Sequence, residues 1–131
     1  MLTTATVYKG SSKNVYLHPE KSCAFFEFTD RYSIFDWGEM PDLLPHKGES
    51  LAAVGALFFQ MLEKKGVRHH FLGMVDEHGE PLAPGARSRF MKVKAVDVIR
   101  PLQNGNSYDY TPYSSKPTGC LVPLEVIFRW G

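Results

Sequence analysis

The first residues whose types could do chemistry form a short loop of one glycine, two serines and one lysine: Gly10, Ser11, Ser12 and Lys13. Segments 5–9 and 14–18 on either side are rich in β-branched and aromatic residues, which predicts a hairpin with the glycine at its tip. Backbone amides, serine hydroxyls and a lysine in such a loop can bind nucleotide phosphates. A solvated hairpin turn without a ligand has the same composition, so the loop alone leaves both interpretations open.

A second polar group follows the next predicted strand. Segment 23–29 alternates and is rich in phenylalanine, and residues 29–36 then bring carboxylates, a guanidinium and hydroxyl groups together. Functional side chains are commonly displayed directly after a strand. A turn stabilised by an ion pair between Asp30 and Arg31 is the alternative, and local composition does not separate the two.

Two further sets of residues carry charge or can ligate metal. Glu125 and Arg129 lie four apart on a predicted buried strand that begins at 120 or 121, so they share one face and either pair with each other or face a ligand. The adjacent residues His69 and His70, together with His78, are of a residue type that binds metal ions, but their spacing does not support a shared site. Adjacent strand residues point to opposite faces, which favours structural or surface histidines.

The spacing of apolar residues in the rest of the sequence predicts the helix and strands that position these groups. Segment 49–65 is predicted to be a helix that ends before Gly66, after an irregular loop over 36–47. Its apolar residues fall on one stripe with the 3.6-residue period: Leu51, Val54, Leu57, Phe58, Met61 and Leu62. Segments 67–75 and 88–99 predict two more strands, whereas 100–119 shows neither helical nor strand periodicity.

Composition narrows the class of protein. The chain has 131 residues, 44% hydrophobic and 22% charged residues and a net charge of +1, as expected for one globular domain. The balanced charge gives no general affinity for nucleic acid, and no apolar run reaches the length of a membrane span. The start lacks the pattern of a secretory signal, so we expect a cytoplasmic protein in which Cys23 and Cys120 stay reduced.

Four segments, in order, resemble the amino-terminal part of the SAICAR synthetase family, the phosphoribosylaminoimidazole-succinocarboxamide synthases. Residues 8–16 are similar to the family's Tyr-x-Gly-Lys-x-Lys/Arg-x-Val-Tyr hairpin, and 27–36 to its Thr-Asp-Arg-x-Ser-x-Phe-Asp segment. Residues 45–49 resemble its Pro-Gly-Lys-Gly-Glu loop, and 122–129 its Val-Pro-Leu-Glu-Val-Val-Val-Arg signature. One departure is Ser11, which stands where the family usually has its first lysine.

The resemblance implies an α+β fold, an antiparallel sheet lobe with one main helix like the small ATP-binding lobe of kinases and of ATP-grasp-like enzymes. It implies a carbon–nitrogen ligase of purine biosynthesis that joins L-aspartate to carboxyaminoimidazole ribotide and releases ADP and phosphate. By the same resemblance, Lys13 and Asp36 are catalytic, and Ser33, Asp36 and Arg129 bind substrate. The residues implied to bind ATP are Gly10, Ser11, Ser12, Lys13 and Val15.

The resemblance also implies parts that this sequence does not contain. The family's Asp-x-Lys-x-Glu-Phe-Gly signature and its acidic Mg²⁺ ligands belong to a carboxy-terminal half, so we expect 1–131 to be a single amino-terminal lobe, truncated and inactive alone. Residues 100–119 are expected to be an insertion loop, and a homo-oligomer is compatible with the family. A nucleotide- or ribotide-binding module without ligase activity is the main alternative, and a small sheet domain that pairs through an edge strand is the other.

Overall fold

The computed structural model describes residues 6–18, 22–83, 85–124 and 127. Contacts divide the chain into two compact units, Met1–Ala95 and Val96–Gly131. The assignment of all 131 residues to one lobe stays a prediction. No helix in the described ranges is long and apolar enough to cross a lipid bilayer.

The first unit contains a five-stranded antiparallel sheet and one long helix, which confirms the predicted α+β fold class. Along the sheet the strands follow the order β1-β2-β3-β5-β4. The strands are β1 Thr6–Lys9, β2 Lys13–Leu17, β3 Cys23–Phe28, β4 Phe71–Val75 and β5 Phe90–Lys94. All five strands lie within or overlap the segments predicted from the sequence, although β4 and β5 are shorter than expected.

The central strand β3 is buried on both faces, because alternate residues point to opposite sides of the sheet. On one side Ala24 packs with Met91 and Val93 of β5 and with Ala56 of the helix. On the other side Cys23 and Phe25 pack with Val75. Cys23 and Cys120 are free thiols.

Helix α1 spans Lys47–Lys64 and ends before Gly66, whose φ of 72° provides the left-handed turn that the sequence predicts there. Its N-cap residue, His46, makes no side-chain capping bond. The carboxylate of Asp30 takes that role from a distant part of the chain, because its Oδ1 accepts a hydrogen bond of 2.8 Å from the amide of Gly48. The end of β3 and the start of α1 are therefore joined by a cap.

The face of α1 that packs on the sheet is the opposite of the one that the apolar stripe predicts. The helix buries Gly48, Ala52 and Ala56. The predicted stripe is exposed to between 39 and 59%: Leu51, Val54, Leu57, Phe58, Met61 and Leu62. The sheet already presents large side chains, among them Phe26 and Met91, so the residues that the helix buries fully against it are small. Phe59 on the same face is partly buried and stacks on Phe71 of β4.

Residues 100–119 in the second unit contain a β-hairpin, which corrects the expectation of a loop without strands. That the segment is an insertion stays a prediction. Strands β6 Leu102–Asn104 and β7 Ser107–Asp109 pair antiparallel across a two-residue turn. Gly105, with φ of 61°, occupies the first turn position, where this kind of hairpin requires a positive φ. The strands are only three residues long and exposed, which is why no periodicity marks them in the sequence.

The predicted terminal strand is not seen where the structure describes it. Cys120 makes an isolated parallel bridge with Asp97, and residues 121–124 are not in a strand. Glu125 and Arg129 lie outside the described residues.

Candidate functional site

The loop between β1 and β2 is closed by a hydrogen bond of 2.9 Å from the Gly10 amide to the Lys13 carbonyl. A side chain at position 10 would meet this turn directly, since a Cβ there would lie 2.8 Å from the Tyr8 ring and 3.0 Å from the Lys13 oxygen. The close approach favours glycine at this position. Ser11 and Ser12 lie at the exposed tip.

Three consecutive carbonyls of this loop are held by the segment that follows β3. The Gly10 oxygen accepts a hydrogen bond of 2.6 Å from Nη2 of Arg31, and the Ser11 oxygen accepts one of 2.9 Å from the Thr29 hydroxyl. The Ser12 oxygen accepts one of 2.9 Å from the Thr29 amide. Within the described ranges, no hydrogen bond uses the amides or hydroxyls of Ser11 and Ser12. The loop can therefore offer these donors to an anion.

Lys13 lies half-buried at the start of β2. Its Nζ sits 4.2 Å from the centroid of the Phe26 ring, a cation–π geometry. Burial lowers the pKa of this ammonium below its ordinary value. Burial and the nearby charge of Lys13 also lower the pKa of His70. Among the described residues Lys13 has no carboxylate within ion-pair distance, so its charge is available to an anionic ligand.

Val15 is on the same face of the sheet as Lys13, because the two lie two positions apart on one strand. Val15 lies opposite Phe26 in the register of β2 and β3 and packs against the cluster that contains Met91. The structure thus brings Gly10, Ser11, Ser12, Lys13 and Val15 together as one loop and the apolar surface beside it.

Ser33 and Asp36 lie on a separate exposed stretch. Ser33 makes a backbone bridge with Glu39, and Asp36 is in a short 3-10 helix, Phe35–Trp37. Phe35 is 96% exposed and Trp37 84% exposed. No hydrogen bond or ion pair in the described part of the chain joins Ser33 or Asp36 to Lys13, so their roles as substrate and catalytic residues stay predictions.

The turn pair proposed as the simpler explanation of 29–36 does not form. Asp30 instead accepts a hydrogen bond of 3.1 Å from Arg89 and caps helix α1, while Arg31 reaches the hairpin loop. Arg31 also donates to Asn14 Oδ1 at 2.7 Å and lies 3.8 Å from a Glu39 oxygen. Asp30 and Arg31 do not pair with each other because each side chain bonds to a different part of the chain.

A polar network on the other face of the sheet was missed from the sequence. Glu27 accepts hydrogen bonds of 2.9 Å from Asn14 and 2.6 Å from Tyr16. The sequence pattern that could have revealed this network is the alternation of β2. It places Asn14 and Tyr16 on the face opposite Lys13 and Val15. This network continues to Arg31 through Asn14.

The histidines are arranged differently from the prediction. His69 and His70 precede β4, and both rings pack around Phe59, with centroid distances of 5.3 and 5.1 Å, instead of pointing to opposite faces. The described residues include no cluster of three or more histidine, cysteine or acidic side chains that could hold a metal ion. These residues by themselves do not fit a Mg²⁺ site.

An open cavity of about 430 Å³ lies between the carboxy-terminal half of α1 and β4. Its lining includes Gln60, Glu63 and Leu72, and it contains none of the residues predicted to bind ATP. The hairpin loop, rather than this cavity, is the candidate site.

Comparison with known proteins identifies the family. The family model for SAICAR synthetase matches residues 6–102, which include the hairpin loop, the segment after β3 and helix α1. The chain belongs to the SAICAR synthetase family. Similar curated proteins include a putative phosphoribosylaminoimidazole-succinocarboxamide synthase from Archaeoglobus fulgidus, 42% identical over 113 residues. That alignment covers 79% of this chain and 31% of the relative.

Other SAICAR synthetases are also similar to this chain in sequence or in fold. The enzyme of Thermoplasma acidophilum is 29% identical over 123 residues, which are 94% of this chain and 33% of the relative. Among solved structures, a type-2 SAICAR synthetase in complex with ADP has a TM-score of 0.53 at 22% identity, over 89% of this chain and 46% of that chain. The Ehrlichia chaffeensis enzyme has a TM-score of 0.57 at 16% identity, over 92% and 47%. This chain thus spans about a third of the length of the curated relatives.

Proposed function

We propose that this chain is the nucleotide-binding part of a SAICAR synthetase and binds ATP through the loop between β1 and β2. The observation that carries the proposal is the loop geometry: three carbonyls are held inward, and the amides and hydroxyls of Ser11 and Ser12 are left for a ligand. The solved relative that contains ADP supports a nucleotide as that ligand.

The residues of the loop have distinct roles in this proposal. The donors of Ser11 and Ser12 bind phosphate oxygens, and Lys13 supplies a fixed positive charge where negative charge develops during phosphoryl transfer. Val15 and the neighbouring apolar surface contact the base. Ser11 replaces a basic residue, so Lys13 carries the full cationic contribution of the loop.

The reaction proposed for the complete enzyme is the family's ligation of L-aspartate to carboxyaminoimidazole ribotide. The γ-phosphoryl group of ATP passes to the ribotide carboxylate, which forms an acyl phosphate and releases ADP. The aspartate amine then attacks the acyl carbon, inorganic phosphate leaves, and the nitrogen loses a proton. Ser33 and Asp36 are proposed to face the substrates, and Arg129 to bind the ribotide phosphate, an anion suited to a guanidinium fork.

Calorimetric titration of the 131-residue chain with ADP tests the nucleotide site. We expect Lys13→Met to weaken ADP binding about tenfold or more, because a charge-assisted contact contributes about 1.5–3 kcal/mol. Lys94→Met is the matched control, since Lys94 is exposed and pairs with the opposite end of β3 from Lys13. Absence of ADP binding by a chain that circular dichroism shows to be folded would overturn the proposal.

A second candidate is a nucleotide-binding module without ligase activity, and Ser11 is the observation that favours it. ADP binding together with no SAICAR formation from ATP, aspartate and the ribotide would support this alternative. Product formation by the chain would exclude it.

A further inference from the structure

Thr29, Asp30 and Arg31, which we call the strap, connect the candidate phosphate loop with helix α1. On the loop side, Thr29 and Arg31 bind the three carbonyls described above. On the helix side, Nζ of Lys47 donates to the Arg31 carbonyl at 2.8 Å and to the Thr29 carbonyl at 3.3 Å. With the cap from Asp30 to Gly48, the strap is fixed to the first turn of α1.

The direction of these bonds matters for an anion site. Each peptide unit of the loop carries its N–H and C=O on opposite sides, so fixing a carbonyl toward the strap turns the following amide away from it. The Ser11 oxygen is held by a side-chain hydroxyl, and the Gly10 oxygen by a guanidinium. Specific side chains therefore select the loop conformation in which its amides face outward.

Both groups are well placed to impose this conformation. Thr29 is 7% exposed, and the Arg31 side chain is 18% exposed. A buried hydroxyl bonded to a backbone oxygen is held more firmly than a solvated one, because losing the bond leaves both groups unsatisfied. Arg31 Nη2 also bonds Asn14 of β2, which fixes the guanidinium beside the loop.

We propose that Thr29 and Arg31 are positioning residues that hold the phosphate loop in its anion-binding conformation. This role rests on the proposed nucleotide function and adds to it: neither residue touches the ligand, and both act through the backbone of residues 10–12. The loop is ordered before the nucleotide arrives, so less conformational freedom is lost on binding.

Two pairs of variants separate positioning from general stability. Thr29→Val removes the hydroxyl with little change in shape, and Thr29→Ser retains it. Arg31→Met removes the loop contact, and Arg89→Met is its matched control, because Arg89 bonds the strap at Asp30 and makes no bond to the loop. Amide hydrogen exchange of residues 10–13 and calorimetric titrations with ADP and with adenosine are measured for each variant.

We expect Thr29→Val and Arg31→Met to weaken ADP binding about five- to tenfold, as for loss of one or two hydrogen bonds, and to leave adenosine binding unchanged. Exchange should accelerate at the Gly10 amide, which bonds the Lys13 carbonyl, and stay unchanged in β3 and β5. Thr29→Ser and Arg89→Met should bind ADP within about twofold of the original chain, since the loop bonds are retained.

The outcomes distinguish this role from the proposed function. If the unaltered chain binds no ADP, the proposed function fails and this role fails with it. If it binds ADP and Thr29→Val and Arg31→Met bind ADP equally well, the positioning role alone is overturned. Equal loss of ADP and adenosine affinity, with faster exchange throughout the sheet, would also overturn it, because that pattern indicates global destabilisation.

Discussion

The two faces of helix α1 differ in the size of the side chains that they carry. The fully buried residues of the face toward the sheet are Gly48, Ala52 and Ala56, with Phe59 partly buried beside them. The outward face has leucines, a valine, a phenylalanine and a methionine that are about half exposed. Hydrophobicity alone would assign the outward face to the core. The comparison shows that fit against the sheet, rather than total apolar character, decides which face is buried.

The closest approach is at the first turn of the helix. A Cβ on Gly48 would lie 2.8 Å from the carbonyl carbon of Phe28 and closer still to its oxygen. A Cβ on Gly55, about two turns further along the same face, would lie 3.4 Å from the terminal methyl of Met91. The first neighbour is rigid backbone, and the second is the flexible end of a side chain.

Gly48→Ala is expected to give the largest effect, a loss of about 2 kcal/mol or more in the free energy of unfolding. Alanine favours a helix by about 1 kcal/mol over glycine, but the clash with the backbone of β3 forces the helix away from the sheet and outweighs that gain. Urea denaturation followed by circular dichroism measures the change.

Gly55→Ala makes the same substitution in the same helix with the opposite expectation. Its methyl group makes an ordinary contact with Met91, so helix propensity should prevail and raise stability by up to about 1 kcal/mol. Equal effects of the two substitutions would contradict the close packing of Gly48 on Phe28.

Asp30→Asn tests the cap on the same face and is expected to lower stability by about 1 kcal/mol at pH 7. The hydrogen bond from Gly48 and the pairing with Arg89 hold the pKa of Asp30 below its ordinary value. A carboxyl with a depressed pKa stabilises the folded state above its unfolded pKa of about 4, and this stability is lost as the pH falls through the folded value.

We therefore expect the difference in free energy of unfolding between Asp30→Asn and the original chain to shrink toward low pH. Urea denaturation at pH 7, 5 and 3 measures this difference. Asp42→Asn is the control, because Asp42 is an exposed carboxylate in the loop before the helix. A difference that stayed constant from pH 7 to pH 3 would show that the charge of Asp30 does not stabilise the cap.

Local patterns were sufficient to predict most elements of the first unit. The alternation in β2 and β3, the helical period of α1 and the stop at Gly66 are properties of short segments, so the sequence alone reveals them. The loop at Gly10 was likewise visible as a hairpin. The bonds from Thr29 and Arg31 to that loop were not, because they join residues 17 to 21 positions apart whose approach depends on the pairing of β2 with β3.

Two of the differences between the predicted and the observed structure have similar physical causes. The buried face of α1 depends on the size of residues in other elements, such as Met91 and Phe26. The spacing of apolar residues within the helix carries no information about those sizes. The hairpin of β6 and β7 has strands of three residues, too short to show alternation, and Gly105 was its one local signal.

The outward face should give the smallest effect. Phe58 is 59% exposed, so Phe58→Gln removes little buried surface and is expected to change the free energy of unfolding by no more than about 0.5 kcal/mol. Its neighbour Phe59 is stacked on Phe71 at 5.3 Å and touches the rings of His69 and His70, so Phe59→Gln should cost several times more. Urea denaturation at two protein concentrations measures both variants. A loss of about 2 kcal/mol for Phe58→Gln would mean that the outward face is buried in solution, and the contrast between the faces would then fail.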